Sequence, residues 1–394
     1  MLPSSVLVVA LLGLLSPFTA AALTAPSDVA ALAAVKAAVA ASSIPHRSCL
    51  ATWDFSAADP CATPRRTHFV CGVSCGATDA GGAARVTAVV LEDAGYEGSL
   101  SPAVGNLSFL SHLDLSGNSF KGPLPSSLRR LRRLRTLSLS FNSFSGRIPS
   151  SLGDLQAMES LDLSHNQLTG PVPAELAGMS ALRSLDLSYN KLSGRLLTAL
   201  PASLVALALR GNALSGPISR VAFAGLHRLE VAELAANRIS GLVEAWFLRL
   251  PALQQVNLAN NSLSGFAVME LAAAPPQLVA LDLGYNRIQG ELPTELAGFP
   301  ALTSLTLRHN RLKGAIPSQY AGGKTGSPLR RLFLDGNFLN GKVPEGLLGG
   351  TAAVTGRLGD NCLEGCPDGE DLCQPLQKPP EICDEVYGAA RPGF

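Results

Sequence analysis

The chain has 394 residues, a formal charge of +1 and only 15% charged positions, against a usual share of about a quarter. Such a balance excludes recognition of nucleic acid or an anionic membrane through overall charge, and 47% apolar content predicts a long shared core. The eight cysteines fall in two groups of four, Cys49, Cys61, Cys71, Cys75 and Cys362, Cys366, Cys373, Cys383, which predicts two disulfide-stapled ends in a secreted chain.

The first element is apolar. Residues 6–15, VLVVALLGLL, precede Pro17 and the small residues Ala20, Ala21 and Ala22, the pattern of a signal peptide cleaved near residue 22. Beyond it no apolar run approaches the ~20 residues of a membrane-spanning helix, so the mature chain is expected to be soluble and without an anchor. With only 33 residues after Asn361, no kinase domain is expected.

Residues 27–41, with Val29, Leu32, Val35 and Val39 at helical spacing, predict a helix capped by Ser27 or Asp28 and lying over the first repeat. Next comes a cysteine-rich segment, 49–75, whose Trp53, Phe55 and Phe69 are expected to pack among the crosslinks. Pairing of Cys61 with Cys75 and of Cys49 with Cys71 is favoured among the three pairings open to four cysteines. Zinc is disfavoured, since an oxidising compartment favours disulfides and the spacing matches no familiar ligand set; no cofactor is expected.

The body of the chain repeats LxxLxLxxNxFxGxLP, as in residues 110–125. Aligned asparagines stand at Asn118, Asn142, Asn166, Asn190, Asn212, Asn237, Asn261, Asn286, Asn310, Asn337 and Asn361, at steps of 24, 24, 24, 22, 25, 24, 25, 24, 27 and 24 residues. A leading copy with Ala94 in the asparagine slot makes twelve coils, and the period is that of a leucine-rich repeat solenoid. Alternation in Leu113, Asp114 and Leu115 puts both leucines inside a short strand and the aspartate outside. Each asparagine, with donors and an acceptor on one amide, is expected to satisfy backbone groups of adjacent coils. One coil has no closed core; stacking supplies it.

Two departures stand out. Proline closes the repeat at Pro125, Pro149, Pro173, Pro293, Pro317 and Pro344, but Leu197, Ser219, Glu244 and Val268 take its place in four consecutive coils, which predicts a less regular or differently curved centre. The 27-residue step holds AGGKTGSP (321–328), expected to be a small surface loop.

The helix, the cap residues Trp53, Asp59, Pro60, Cys61, Gly72, Val73, Ser74 and Cys75, and repeats ending as Phe144, Gly146, Ile148, Pro149 resemble the plant extracellular leucine-rich repeat family of receptor-like proteins, receptor-kinase ectodomains and polygalacturonase-inhibiting proteins. The resemblance covers about residues 27–383. It implies an α/β solenoid wound as a right-handed superhelix, about twelve coils of ~24 residues between cysteine caps, with a second short sheet under the LxGxIP segment. The organisation expected is signal peptide 1–22, N-terminal cap 23–84, solenoid 85–361, and C-terminal cap and tail 362–394. Membership implies binding and leaves the ligand open.

Candidate contacts lie on the exposed concave face. The residue between the leucines gives Asp114, Asp162, Asp186, Glu233, Asn257, Asp282 and Phe333; the residue before the asparagine gives Phe141, His165, Tyr189, Tyr285 and His309; Arg210 and Arg308 add positive charge along the same face. Exposed aromatics are the anchors that binding surfaces use, or else a solvated sheet in which they stack for stability. The run RRLRRLR, residues 129–135, is read as a solvated edge, with an acidic cell-wall polysaccharide as its alternative partner. Sequons stand at Asn106 and Asn260. Scattered histidines and adjacent aspartates on an open face, without a pocket to exclude water, argue against an enzyme. The chain is thus expected to be a secreted receptor-like protein of apoplast or cell wall that binds a peptide or another ectodomain. An inhibitor of microbial polygalacturonases and a structural wall binder are the alternatives.

Overall fold

The computed structural model describes residues 23–62, 67–196, 198–267, 276–321, 328–348, 354–367 and 369–388. The proposed signal peptide, residues 322–327 of the expected loop, and Leu197 and Val268 of the proline-free coils lie outside them.

The described residues form a solenoid around a main sheet of 13 strands. Its first strand, Val73–Thr78, runs antiparallel to Ala84–Val90. From there to Thr355–Arg357 the strands are parallel, one per coil, as the repeat period predicts. Most are three residues long, with the middle residue buried. Two leucines per coil explain this: Leu113 and Leu115, like Leu137 and Leu139, are 1% exposed or less, and stacking joins them into one continuous core.

The asparagine ladder is present. Asn166 donates from Nδ2 to the carbonyls of Leu139, Leu163 and Ser164 at 2.9, 3.2 and 3.0 Å, and its Oδ1 accepts from the Phe144 amide at 2.9 Å. The first of these carbonyls and the amide belong to the preceding coil, so each asparagine pins two coils together. The pattern recurs down to Asn361.

A second layer flanks the main sheet, with eight strands from Glu97–Gly98 to Ser262–Phe266 and four from Gln289–Gly290 to Cys362–Glu364. The proline-free centre keeps a regular main sheet beside a less regular flanking layer, which divides into its two sheets after Ser262–Phe266. Ser219 (φ −81°, ψ 120°) and Glu244 (φ −92°, ψ 142°) take nearly the backbone angles of Pro149 (φ −64°, ψ 126°), each at the start of a one-turn helix. Strands pair in parallel through these coils, with one register shift at Gly241 and Leu242. Proline predisposes φ here, but coil stacking imposes it anyway.

Both ends are stapled. Cys49 is bonded to Cys71 and Cys61 to Cys75; Cys362 is bonded to Cys383 and Cys366 to Cys373. Trp53, Phe55 and Phe69 pack ring against ring, and the Trp53 indole donates to the Cys71 carbonyl at 3.0 Å. The N-terminal helix spans Pro26–Ala37 and buries Ala31, Leu32 and Val35 over the first coil. Its capping departs from the sequence reading: Ala25 is the N-cap and Pro26 opens the helix, while Asp28 is buried on Arg85 at 2.7 Å. No helix among the described residues is long and apolar enough to cross a membrane.

Candidate functional site

Strand register fixes the candidate surface. Asp114, Ser138, Asp162, Asp186, Ala208, Glu233, Asn257, Asp282, Thr306 and Phe333 are consecutive partners across the main sheet. They form one row, stepping about 4.8 Å per strand.

The aspartates of this row have structural work. Asp114, Asp162, Asp186 and Asp282 each accept from the amide two residues on, at 2.8–2.9 Å. Asn257 does the same for Ala259 at 3.1 Å. These turns explain why short oxygen-bearing side chains recur here. One oxygen of each carboxylate is committed to the fold, so the row is only partly free for a ligand.

The aromatic column is stranger than its sequence suggests. Phe141, His165, Tyr189, Tyr285 and His309 all have φ between 51° and 57°, the left-handed region that costs an L-residue roughly 1–2 kcal/mol. The coil stack enforces it, because each amide must reach a carbonyl of the next coil: Tyr189 to Arg210, Tyr285 to Arg308 and His309 to Asp335, at 2.6–2.9 Å. Ring stacking offsets the strain. Phe141, His165 and Tyr189 stack at 4.0 and 4.3 Å, and Tyr285 and His309 at 4.6 Å, contacts worth about 0.5–1.5 kcal/mol each. Each series ends on glycine for a steric reason. A Cβ at Gly211 would lie 2.8 Å from the Tyr189 ring, and one at Gly336 would lie 2.5 Å from His309. The rings thus stabilise the stack while Phe141, Tyr189 and Tyr285 stay 57, 43 and 46% exposed.

A third column, the residue after the second leucine, supplies Arg210 and Arg308 to the sequence candidates. It runs Ser116, Ser140, Ser164, Ser188, then Arg210, Ala235, Ala259, Gly284, Arg308 and Asp335. Between the two arginines, Ala235 and Ala259 floor a hollow of about 310 Å3, lined also by Arg210, Asn257, Asn260, Asp282, Tyr285, Thr306, Arg308 and Phe333. The change from serine to this pattern was the available signal. The hollow gathers Arg210, Asn257, Asp282, Tyr285, Arg308 and Phe333 from the sequence candidates; Glu233 and His309 stand outside its lining, and Asp114, Phe141, Asp162, His165, Asp186 and Tyr189 lie on earlier coils.

Its electrostatics are incompletely compensated. Arg308 reaches Asp335 at 3.3 Å and lies over the Phe333 ring at 4.9 Å; His309 is 3.8 Å from Asp335. Asn257 donates to Glu233 Oε2 at 3.1 Å, and Arg210 stands 3.9 Å from Glu233 Oε1. That Oε1 and Arg308 Nε are buried without hydrogen-bond partners. Burial pushes both Glu233 and Asp282 above the ordinary carboxylate range, against the pull of the Asn257 bond on Glu233 and of the Gly284 amide on Asp282.

The sign of the pH effect follows. A carboxyl with a raised folded-state pKa binds its proton more tightly in the native chain, so it adds stability that is complete below the unfolded value, near 4, and is lost as pH rises through the folded value. Glu233→Gln, which keeps the neutral form, is therefore expected to raise the urea midpoint at pH 7 and to leave it nearly unchanged at pH 3.5. An equal shift at both values would contradict this.

In the arginine run 129–135 three side chains have local contacts. Arg133 lies over Phe109 at 3.8 Å, Arg135 pairs with Glu159 at 2.7 Å, and Arg130 donates to Asn106 Oδ1 at 3.3 Å. Asn106 thus stands beside the arginine run, whereas Asn260 lines the hollow.

Residues 91–324 match the profile of a family described as a leucine-rich repeat region. A stretch of 64 residues, 16% of this chain and 7% of the relative, is 45% identical to Receptor-like protein 7 of Arabidopsis thaliana. Another of 76 residues, 19% of this chain and 10% of the relative, is 38% identical to Receptor like protein 26 of the same plant. Among solved structures, the PEPR1–AtPEP1 crystal structure superposes with a TM-score of 0.73 at 30% identity, covering 86% of this chain and 45% of that one. The plant peptide hormone receptor RGFR1 in complex with RGF2 gives 0.62 at 29%, covering 70% and 43%. The chain spans less than half the length of each of these four proteins.

Proposed function

The chain belongs to the plant extracellular leucine-rich repeat family, and from that premise we propose that it is a secreted receptor-like recognition protein that binds a peptide or a peptide segment of a protein across the open face of its main sheet. The observation that carries the reading is the hollow between Arg210 and Arg308, where the open face departs from a serine-lined floor and buried polar atoms stand without partners. An extended peptide suits such a trough, since its backbone supplies donors and acceptors and its side chains can lie along Tyr285 and Phe333. The peptide complexes named among the solved relatives support the same class of ligand. The wall-polysaccharide reading rests on the arginine run alone, where Arg135 is paired with Glu159 and Arg130 and Arg133 are held by Asn106 and Phe109.

The test is selection from a displayed library of random dodecapeptides, run on the secreted chain and on its Asn260→Gln variant, which reads whether a glycan at that sequon screens the hollow. Selected peptides are expected to lose at least tenfold in affinity for Arg210→Ala or Tyr285→Ala, and less than threefold for a chain with Arg129, Arg130, Arg132 and Arg133 all changed to Gln. The reverse pattern would move recognition to the arginine edge and overturn the proposal.

A further inference from the structure

We propose that the flanking sheet, centred on the proline-free coils, is a second interaction surface, separate from the open face, and that it docks an acidic segment of a protein partner.

This sheet is one-sided in charge. Its six strands from Ser143–Arg147 to Ser262–Phe266 carry Arg147, Lys191, Arg195 and Arg238 and no aspartate or glutamate. All four cations are exposed, and among the described residues none of them has an ion-pair partner. Register spaces them evenly. Thr169 lies between Arg147 and Lys191, and Ser215 between Arg195 and Arg238, so each pair spans two strand steps, about 10 Å. An extended chain advances about 3.3 Å per residue. Carboxylates three residues apart on a segment crossing the strands therefore meet both members of a pair.

A groove lies at one end of the stripe. It holds about 350 Å3 and is lined by Arg195, Thr198, Pro217, Ser219 and Arg220 among others. The one carboxylate in its lining, Glu244, accepts from the Trp246 indole at 2.6 Å and makes no ion pair with either arginine. Two guanidinium groups beside the hydroxyls of Thr198 and Ser219 offer a partner's carboxylate charge-assisted donors. Apolar side chains at the groove decide the class of partner. Val221 follows Arg220 on a one-turn helix whose Ala222 and Phe223 are buried, yet it is 90% exposed. Leu242, at the register shift opposite Gly265, is 46% exposed. Aliphatic groups left in water gain by burial against the apolar side chains of a protein, which an acidic polysaccharide does not have. Cations beside exposed aliphatic groups thus match an acidic protein segment that carries an apolar residue between its acids.

The experiment titrates the full secreted chain with a capped dodecapeptide, acetyl-SELSELSELSEG-amide, whose glutamates stand three residues apart, and reads tryptophan fluorescence. The chain has two tryptophans. Trp53 is 1% exposed in the N-terminal cap, so a change reports on Trp246 at the groove and is absent from Trp246→Phe. Affinity is expected to fall at least tenfold in the Arg195→Gln/Arg220→Gln/Arg238→Gln variant and at least threefold in Val221→Ser/Leu242→Ser. It is also expected to weaken with salt, and to stay within twofold in Arg210→Ala. The same residues reordered with the glutamates adjacent are expected to bind at least fivefold more weakly. No saturable change, equal binding of the two peptides, or binding unchanged in the triple variant would overturn the proposal. Tighter binding of an oligogalacturonate than of the peptide would make the partner a polysaccharide and overturn it as well. Loss of binding in Arg210→Ala would move the peptide to the open face and remove the second surface.

Discussion

Replacing Asp28 with alanine is expected to cost the fold about 3–5 kcal/mol, because it strands a buried guanidinium. Asp28 is fully buried and Arg85 is only 7% exposed. The carboxylate accepts from Arg85 Nη2 at 2.7 Å and from Nε at 3.0 Å, and it also takes the Val86 amide at 2.9 Å. It therefore ties the N-terminal helix to the first parallel strand. Without it, Arg85 keeps Ser108 at 3.0 Å and the more distant Asp79 at 3.7 Å, which do not replace a two-point contact. Replacing both partners together, Asp28→Leu with Arg85→Met, is expected to cost far less, since no charge is then left in the core. Urea unfolding of the two variants checks this, and a loss below about 1 kcal/mol for the single alanine variant would refute it.

The second large effect is expected at Asn337. Its side chain is wholly buried, donates to the Leu307 and Leu334 carbonyls at 2.9 Å each, and accepts from the Leu312 amide at 3.1 Å. Alanine orphans the Leu312 amide and takes one of two asparagine donors from each of the Leu307 and Leu334 carbonyls, which keep Asn310 and Asn361 at 3.0 Å; at about 1–3 kcal/mol for the orphaned group and about 0.5–1 for each lost bond, a loss of about 2–4 kcal/mol follows. In a linear stack the damage is local before it is global. Hydrogen exchange is therefore expected to quicken first at Leu312, whose amide loses its acceptor, with the coils near Asn142 unaffected. Uniform acceleration along the whole solenoid would contradict the picture of coils coupled to their neighbours.

These two residues mark what the sequence could and could not say. Asn337 was legible because its role repeats: a donor-rich amide at a fixed distance from two leucines has the same task in every coil. Asp28 was misread as a helix cap, since its partner lies 57 residues away and nothing periodic links them. The site divides in the same way. The two exposed columns followed from strand alternation, and register joined one of them into a continuous row. The positive φ of Phe141, Tyr189 and Tyr285 was hidden because such residues rarely adopt it, although Gly117, Gly211 and Gly336 in the same column were the trace of it. The floor of the hollow was missed because a single alanine or glycine carries no signal; only Arg210, Ala235, Ala259, Gly284 and Arg308 taken together show that side chains are missing between two long ones.

The strain in the aromatic column also bears on function. Glycine satisfies the same backbone at three coils, so the rings are there for their contacts with one another and for what they present at the surface. That surface leads from Phe141 along the stack to Tyr189, where Arg210 lies 5.8 Å over the ring and begins the hollow.

The most direct measurement is photo-crosslinking of a selected peptide that carries one benzophenone side chain, with the modified residues found by mass spectrometry. Crosslinks are predicted at Tyr285, Thr306, Arg308 or Phe333, on the wall of the hollow. Crosslinks confined to the arginine edge at 129–135, or to the flanking strands Lys191–Arg195 and Ala213–Gly216, would show that the open face is not where this protein recognises its partner.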